Sequence, residues 1–287
     1  MVKKIIGQTY IWLLLLLMYL PILVLIAFSF TEATNVGEWT GFSLNLYPRL
    51  FTNTEIMRAL GNTLIIAFTS ALVSTVLGTL GAIGAFYSSK KVRKAYDSIT
   101  QIPIVNAEIV MALSLTVMFV FLGTYIFKGQ QLFSYWTLLI GHVVLSIPFV
   151  YISVRPKLMQ MDPSLYEAAI DLGSTPRQAL NKVIIPETLP GILSGFLLSI
   201  TLSLDDFIIT AFTRGPGLLS GDASIDTLST LVQSKIKKGP IPVEMRALTT
   251  IIFIVVALGV AIVSVTRYVK SKNSSIYKKK RGLSHEI

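Results

Sequence analysis

Asp205 and Asp206 stand side by side inside an apolar run that also holds Ser203, and Glu108 is the only charge between Ile99 and Phe127. A carboxylate at membrane depth costs on the order of 2.5–3.5 kcal/mol on insertion scales, so such groups usually face a cavity or a partner. Asp205 lies nine residues before Arg214, about 13 Å below the outer end of a helix at 1.5 Å per residue. Neighbours on a helix point about 100° apart, which gives the two aspartates different surroundings. One reading is structural, with one carboxylate bonding a neighbouring helix and the other capping a kink. The other is an anionic patch on a passage for a cationic solute, with Ser203 as an adjacent polar group and Glu108 as a second acidic point. A proteolytic dyad needs two aspartates sharing one proton across facing helices, which adjacent positions do not readily provide. His142, alone in its apolar run, reads as a polar packing residue rather than a metal ligand. The chain contains no cysteine, so neither disulfides nor thiol chemistry enter.

A second stretch, Met161–Pro190, is polar and lies between two long apolar runs. Asp162 is placed to cap a helix, and Pro163 sits where a missing N–H costs nothing. Leu165, Ala168, Ala169 and Leu172 recur at helical spacing, making one apolar face on which the two small alanines leave a shallow surface. Glu167 stands beside them as a charged anchor for another protein. Gly173 ends this helix, and Ser174 or Thr175 followed by Pro176 begins the next. An ordinary loop between membrane helices is the plainer reading of the same residues.

The elements that must position these groups are set by composition. Hydrophobic residues make up 53% of the chain and charged residues 14%, more apolar surface than a soluble domain of this size requires. Lys4 and Glu32 enclose 27 uncharged residues, where a spanning helix needs roughly 20. That run is too long for a signal-peptide core, and no small-residue cleavage site follows it. Six transmembrane helices are expected, at about 9–30, 59–88, 101–127, 132–154, 188–213 and 247–267, within a single all-α membrane domain of residues 1–287. Gly78, Gly81 and Gly84, with Ala82 and Ala85, give the second span a low-profile face for close helix packing.

Six spans put both termini on one side. That side carries 17 lysines and arginines against 8 on the other, which marks it as cytoplasmic. The 162–187 loop is then cytoplasmic, and the loops at 31–58 and 214–245 face outward. The formal charge of +10 is accounted for by orientation and by anionic lipid near the basic tail Lys278–Arg281, with no role for nucleic acid.

Glu167-Ala168-Ala169, then Gly173, then Val183-Ile184-Ile185-Pro186 resembles the EAA loop of type I ABC importer permeases, whose pattern is E-A-A-x3-G-x9-I-x-L-P. Only Val183 and Ile185 depart, and only in aliphatic shape. The resemblance implies the permease fold with a cytoplasmic coupling helix, not an enzyme. It also implies a second permease subunit, two ATPase subunits and an extracytoplasmic substrate-binding protein as partners. No Gly-rich Walker loop occurs in the chain, so it binds no cofactor and ATP is consumed by the ATPase. Leu165, Ala168, Ala169 and Leu172 would fill the ATPase groove, Glu167 would pair with a basic residue there, and Gly173 would set the angle between the two helices.

Within those permeases, Thr201–Phe207, Glu108–Ala112, Glu38-Trp39-x-Gly41-Phe42 and Thr213-x-Gly215-Pro216 resemble the spermidine/putrescine importers. Leu46 stands where a second loop tryptophan is expected. The likeness implies that Glu108, Ser203, Asp205 and Asp206 line the path of a polyamine. It further implies that Trp39, Phe42, Arg214 and Gly215 touch the binding protein. The competing readings are a permease for a different small solute or metal ion, and a six-helix ion channel, which does not account for the 161–190 loop.

Overall fold

The computed structural model describes residues 2–35, 37–162, 164–214, 225–238, 241–259 and 261. Among these the regular structure is entirely helical, as hydrocarbon requires of chains whose backbone N–H and C=O groups find no water. The helices are α1 (Val2–Phe28), α2 (Leu46–Thr52), α3 (Thr54–Tyr87), α4 (Lys90–Val105), α5 (Glu108–Phe121), α6 (Tyr135–Gln160), α7 (Ser164–Asp171), α8 (Pro176–Ala179), α9 (Ile185–Asp205), α10 (Ile208–Thr213) and α11 (Leu228–Lys238). Residues 244–259 form α12. Turns of wider, π-type winding extend α5 over Leu122–Ile126 and join α8 to α9 over Leu180–Ile184.

Among the described residues, five helices are long and apolar enough to cross a membrane: Ile6–Phe28, Thr54–Tyr87, Glu108–Ile126, Tyr135–Gln160 and Pro176–Asp205. Three expectations change. The third span starts at Glu108 rather than 101, because Asn106 and Ala107 are extended and residues 101–105 belong to the separate helix α4. The fifth span does not run unbroken to 213, because the helix stops at Asp205 and restarts at Ile208. The sixth, expected over 247–267, is helical from 244 to 259, and most of its remainder lies outside the described residues, as do Pro163 and the Lys278–Arg281 tail.

The chain divides into two compact units, Glu55–Lys238 and the two flanking segments Met1–Thr54 and Gly239–Ile287. In the first, α6 is the central helix: 67% of its most apolar window is buried, against 28–39% for the other three spans of that unit. Glycines let its neighbours approach. A Cβ at Gly78 of α3 would lie 2.7 Å from the Val150 Cβ, one at Gly195 of α9 would lie 3.0 Å from the Val150 Cα, and one at Gly191 would lie 2.8 Å from the Ser153 carbonyl oxygen. Hydroxyl pairs tie α3 to α9 directly, Ser70 to Ser203 at 3.2 Å and Ser74 to Ser199 at 3.3 Å. In the lipid-facing core such small residues allow the van der Waals contact that replaces the hydrophobic effect. Gly191→Val, set against a backbone carbonyl that cannot swing aside, is expected to cost about 1–3 kcal/mol. Thermal unfolding of the purified protein measures this, with Gly84→Ala, inside α3 where a Cβ meets nothing within 4 Å, expected to raise stability by about 0.5–1 kcal/mol.

In the second unit α1 buries none of its most apolar window. Its end leads into an aromatic loop, where Phe30 stacks on Phe42 at 5.7 Å and Phe28 meets Trp39 edge-on at 6.3 Å. Arg246 at the start of α12 donates to the carbonyls of Ala33 and Thr34, and Arg49 pairs with Glu244 at 2.9 Å.

Candidate functional site

Two helix breaks define the acidic region. α5 begins at Glu108, a carboxylate in the first turn, where the helix dipole favours negative charge. α9 ends at Asp205, and Asp206 is extended before α10 resumes. Met111 and Ala112 of α5 pack on Ile209 of α10, and the Thr116 hydroxyl donates to the Phe212 carbonyl at 3.0 Å. Thr116 lies eight residues past Glu108 and Phe212 six past Asp206. At helical rise the two breaks therefore share a level to within about 3 Å. Glu108 is close enough to Asp205 and Asp206 to interact with both electrostatically. Glu108 and Asp205 are exposed.

Asp206 and Ser203 are not. Asp206 is 6% exposed and Ser203 4%. The Asp206 carboxylate accepts from the Ile209 amide at 3.2 Å, from the Thr210 amide at 2.8 Å and from the Thr210 hydroxyl at 3.0 Å. It satisfies the first turn of α10, whose amides would otherwise be orphaned at membrane depth. Its backbone carbonyl, freed by the break, is taken by the Ser229 hydroxyl of α11 at 2.7 Å. Of the two aspartates weighed above, Asp206 therefore fits the kink-capping alternative, and Asp205 is the one left facing outward. Ser203 is turned into the core, between Ser70 and His142. His142 is fully buried, bonded to Ser203 through Nδ1 at 2.8 Å and to Thr210 through Nε2 at 2.9 Å. Thr210 was not singled out from sequence. The readable signal was Asp206 itself, an N-cap residue type directly before an apolar run, which is a helix-start pattern, though it does not point to Thr210.

The 161–190 loop is a compact helical projection. Asp162 Oδ1 accepts from the Ser164 amide at 2.9 Å and its hydroxyl at 2.8 Å. These bonds hold Asp162 below the ordinary carboxylate range. Their support for α7 is thus present above that range and fades as pH falls through the lowered value. Gly173, at φ +84°, closes α7 with the paired bonds Ser174 N–H to Ala169 and Gly173 N–H to Ile170. Thr175 and Gln178 form a reciprocal capping box that starts α8. Leu172 is 87% exposed and Leu165 39%, and Glu167 and Ala168 are also open. Ala169 departs from the expected groove-filling set. It is 9% exposed, because on the helix it shares a side with Tyr166, which packs inward on Tyr87 at 5.3 Å.

Of the residues expected on the outer surface, Trp39 is 57% exposed and Phe42 71%. Arg214 is not available in the same way. It is 6% exposed and bonded to Asp226 and the Ile225 carbonyl, because a guanidinium at the end of α10 needs a partner once it is buried. Gly215 lies outside the described residues.

Spanning helices interrupted at one depth, with carboxylates at the interruptions, are features of the transporter class, where irregular backbone is tolerated if it lines a cavity. Residues 74–274 match the family model described as binding-protein-dependent transport system inner membrane component, and the chain belongs to that family. It is a multi-pass membrane transport component, not an enzyme. It is 33% identical over 257 residues to the spermidine/putrescine transport system permease protein PotC of Haemophilus influenzae, covering 90% of this chain and 93% of that one. It is also 33% identical to the putrescine transport system permease protein PotI of Escherichia coli, over 82% of this chain and 81% of that one. The fold is shared, at a TM-score of 0.68 and 21% identity over 91% of this chain and 92% of the other, with a chain of a bacterial ABC transporter involved in the import of the acidic polysaccharide alginate.

Proposed function

We propose that this chain is a membrane-spanning permease subunit that forms half of the translocation path of an ATP-driven importer for polyamines, spermidine and putrescine. The observation that carries the proposal is the pair of exposed carboxylates, Glu108 and Asp205, brought to one level by two helix breaks. The named functions of the relatives support the same substrate class. A polyamine is a flexible chain of ammonium groups. Carboxylates presented singly along a path can each hold one ammonium weakly, which permits both capture and release. Asp206, already saturated by three hydrogen bonds, contributes charge but not contact.

The remaining division of labour follows from the family. A second permease subunit completes the path. An external binding protein delivers the polyamine to the outer face, with Trp39 and Phe42 among its contacts. Two ATPase subunits engage the α7 projection on the cytoplasmic side, through Leu165, Glu167, Ala168 and Leu172, while Gly173 fixes the projection's shape. Both termini lie in the cytoplasm. ATP is bound and spent by the ATPase subunits, since this chain has no phosphate-binding loop.

Uptake of radiolabelled spermidine and putrescine, compared between cells lacking this chain and cells in which it is restored, tests the proposal. Restoration of polyamine accumulation is expected. Equal accumulation in both, with the partner subunits present and no other polyamine importer, overturns it.

A further inference from the structure

We infer that His142 is a positioning residue, whose imidazole straps the last turn of α9 to the first turn of α10 and so holds side chain 205 in the exposed break. The importance of that position rests on the proposed role of Asp205, but the strap is argued from geometry alone. Ser203 belongs to the α9 side of the break and Thr210 to the α10 side, and the ring reaches both.

The donors can be placed in one order. The Thr210 hydroxyl donates to Asp206 Oδ2, so it accepts from His142 Nε2–H. The other ring nitrogen, Nδ1, then accepts from the Ser203 hydroxyl, and Ser203 in turn accepts from Ser70. Ser203, His142 and Thr210 each give one hydrogen bond in the series and take one, as a neutral imidazole and a hydroxyl can. The series runs from α3 through α9, α6 and α10 to a carboxylate, with no member more than 6% exposed. At the break the α-helical ladder is interrupted, and His142 is the group that bonds both flanking segments. Removing it leaves the Ser203 hydroxyl proton without this acceptor and the Thr210 oxygen without this donor, a cost for buried hydroxyls even though Ser70 and Asp206 remain bonded to them. The join at Asp206–Phe207 keeps the Asp206 cap and the Ser229 bond but loses the tie between the two helix ends, and Asp205, the last residue of α9, shifts with that end.

Because the chain has no cysteine, an Asp205→Cys variant carries a unique thiol, whose reaction rate with a cationic methanethiosulfonate reagent reports its accessibility whatever the transported solute is. The variant is assembled with its partner subunits in membranes, and labelling of this chain is followed by mass spectrometry. The thiol is expected to react readily with His142 in place, about tenfold more slowly with His142→Leu, and at close to the original rate with His142→Gln, whose amide keeps a donor and an acceptor. If His142→Leu fails to accumulate, Thr210→Val and Thr210→Ser take the place of the Leu and Gln variants with the same expected contrast. Equal labelling rates in the apolar and conservative variants overturn the strap. A normal strap result beside unimpaired polyamine uptake in Asp205→Asn would reject the passage role of Asp205 and leave the strap standing.

Discussion

Asp205→Asn is expected to lower polyamine uptake about tenfold while leaving the melting temperature of the assembled transporter unchanged. Asp206→Asn is expected to lower stability by about 1.5–3 kcal/mol, the range for hydrogen bonds to a charged group. The contrast follows from the break. Asp205 is exposed, so its loss removes an attraction for ammonium without orphaning any protein group. A tenfold effect corresponds to about 1.4 kcal/mol, within the range of one charged hydrogen bond. Asp206 accepts from the amides of Ile209 and Thr210 and from the Thr210 hydroxyl. An asparagine there turns an N–H toward some of those donors, and the first turn of α10 loses its partner. Glu108→Gln is expected to resemble Asp205→Asn, and the double variant to fall further than either. Both side chains would act on the same cation, so strict additivity is not expected. Uptake by vesicles and thermal unfolding of the purified complex, measured on the same preparations, separate the two classes of variant.

The second large effect is expected at the cytoplasmic projection. Leu172→Asp and Glu167→Lys alter exposed side chains, so this chain should still fold and reach the membrane. ATPase subunits should no longer co-purify with it, and ATP-dependent uptake should fall by at least about tenfold, as expected when an anchor at the centre of an interface is lost. Ala169→Trp should behave differently, lowering the stability of the chain itself, because Ala169 faces inward beside Tyr166. Gly173→Ala forces a side chain into φ +84° and is expected to cost about 1 kcal/mol, with a smaller loss of coupling. Co-purification of the ATPase, measured beside uptake, distinguishes a broken interface from a broken fold.

Much of this was legible in the residues, and the parts that were not share a physical reason. Span existence follows from uncharged length, and α7 was bounded correctly by Asp162 and Gly173 because caps and left-handed turns are local chemistry. The two breaks were less legible. Hydropathy is continuous through Ile99–Phe127 and Thr188–Thr213 but for their acidic residues, so only capping logic could have revealed an interruption at Asn106–Ala107 or Asp206–Phe207. Which aspartate stays exposed depends on which carboxylate finds buried donors, and those are arranged by the packing of α10 on α5 and α6. The same holds for Arg214, whose partner Asp226 lies 12 residues on in the chain, and for Ala169, whose side is chosen by Tyr166. Helical periodicity marks an apolar face but does not say whether it meets its own protein or another.

A zero-length coupling experiment tests the central claim most directly. A carbodiimide activates carboxylates so that a primary amine of spermidine condenses on them as an amide. Applied to the assembled transporter during ATP-driven turnover, with peptides of this chain read by mass spectrometry, it is predicted to place spermidine on Asp205 or Glu108. The adducts should depend on ATP-driven turnover, and Asp206 should remain unmodified. Adducts confined to loop carboxylates such as Asp171, or equal with and without turnover, would contradict a polyamine path through the paired helix breaks.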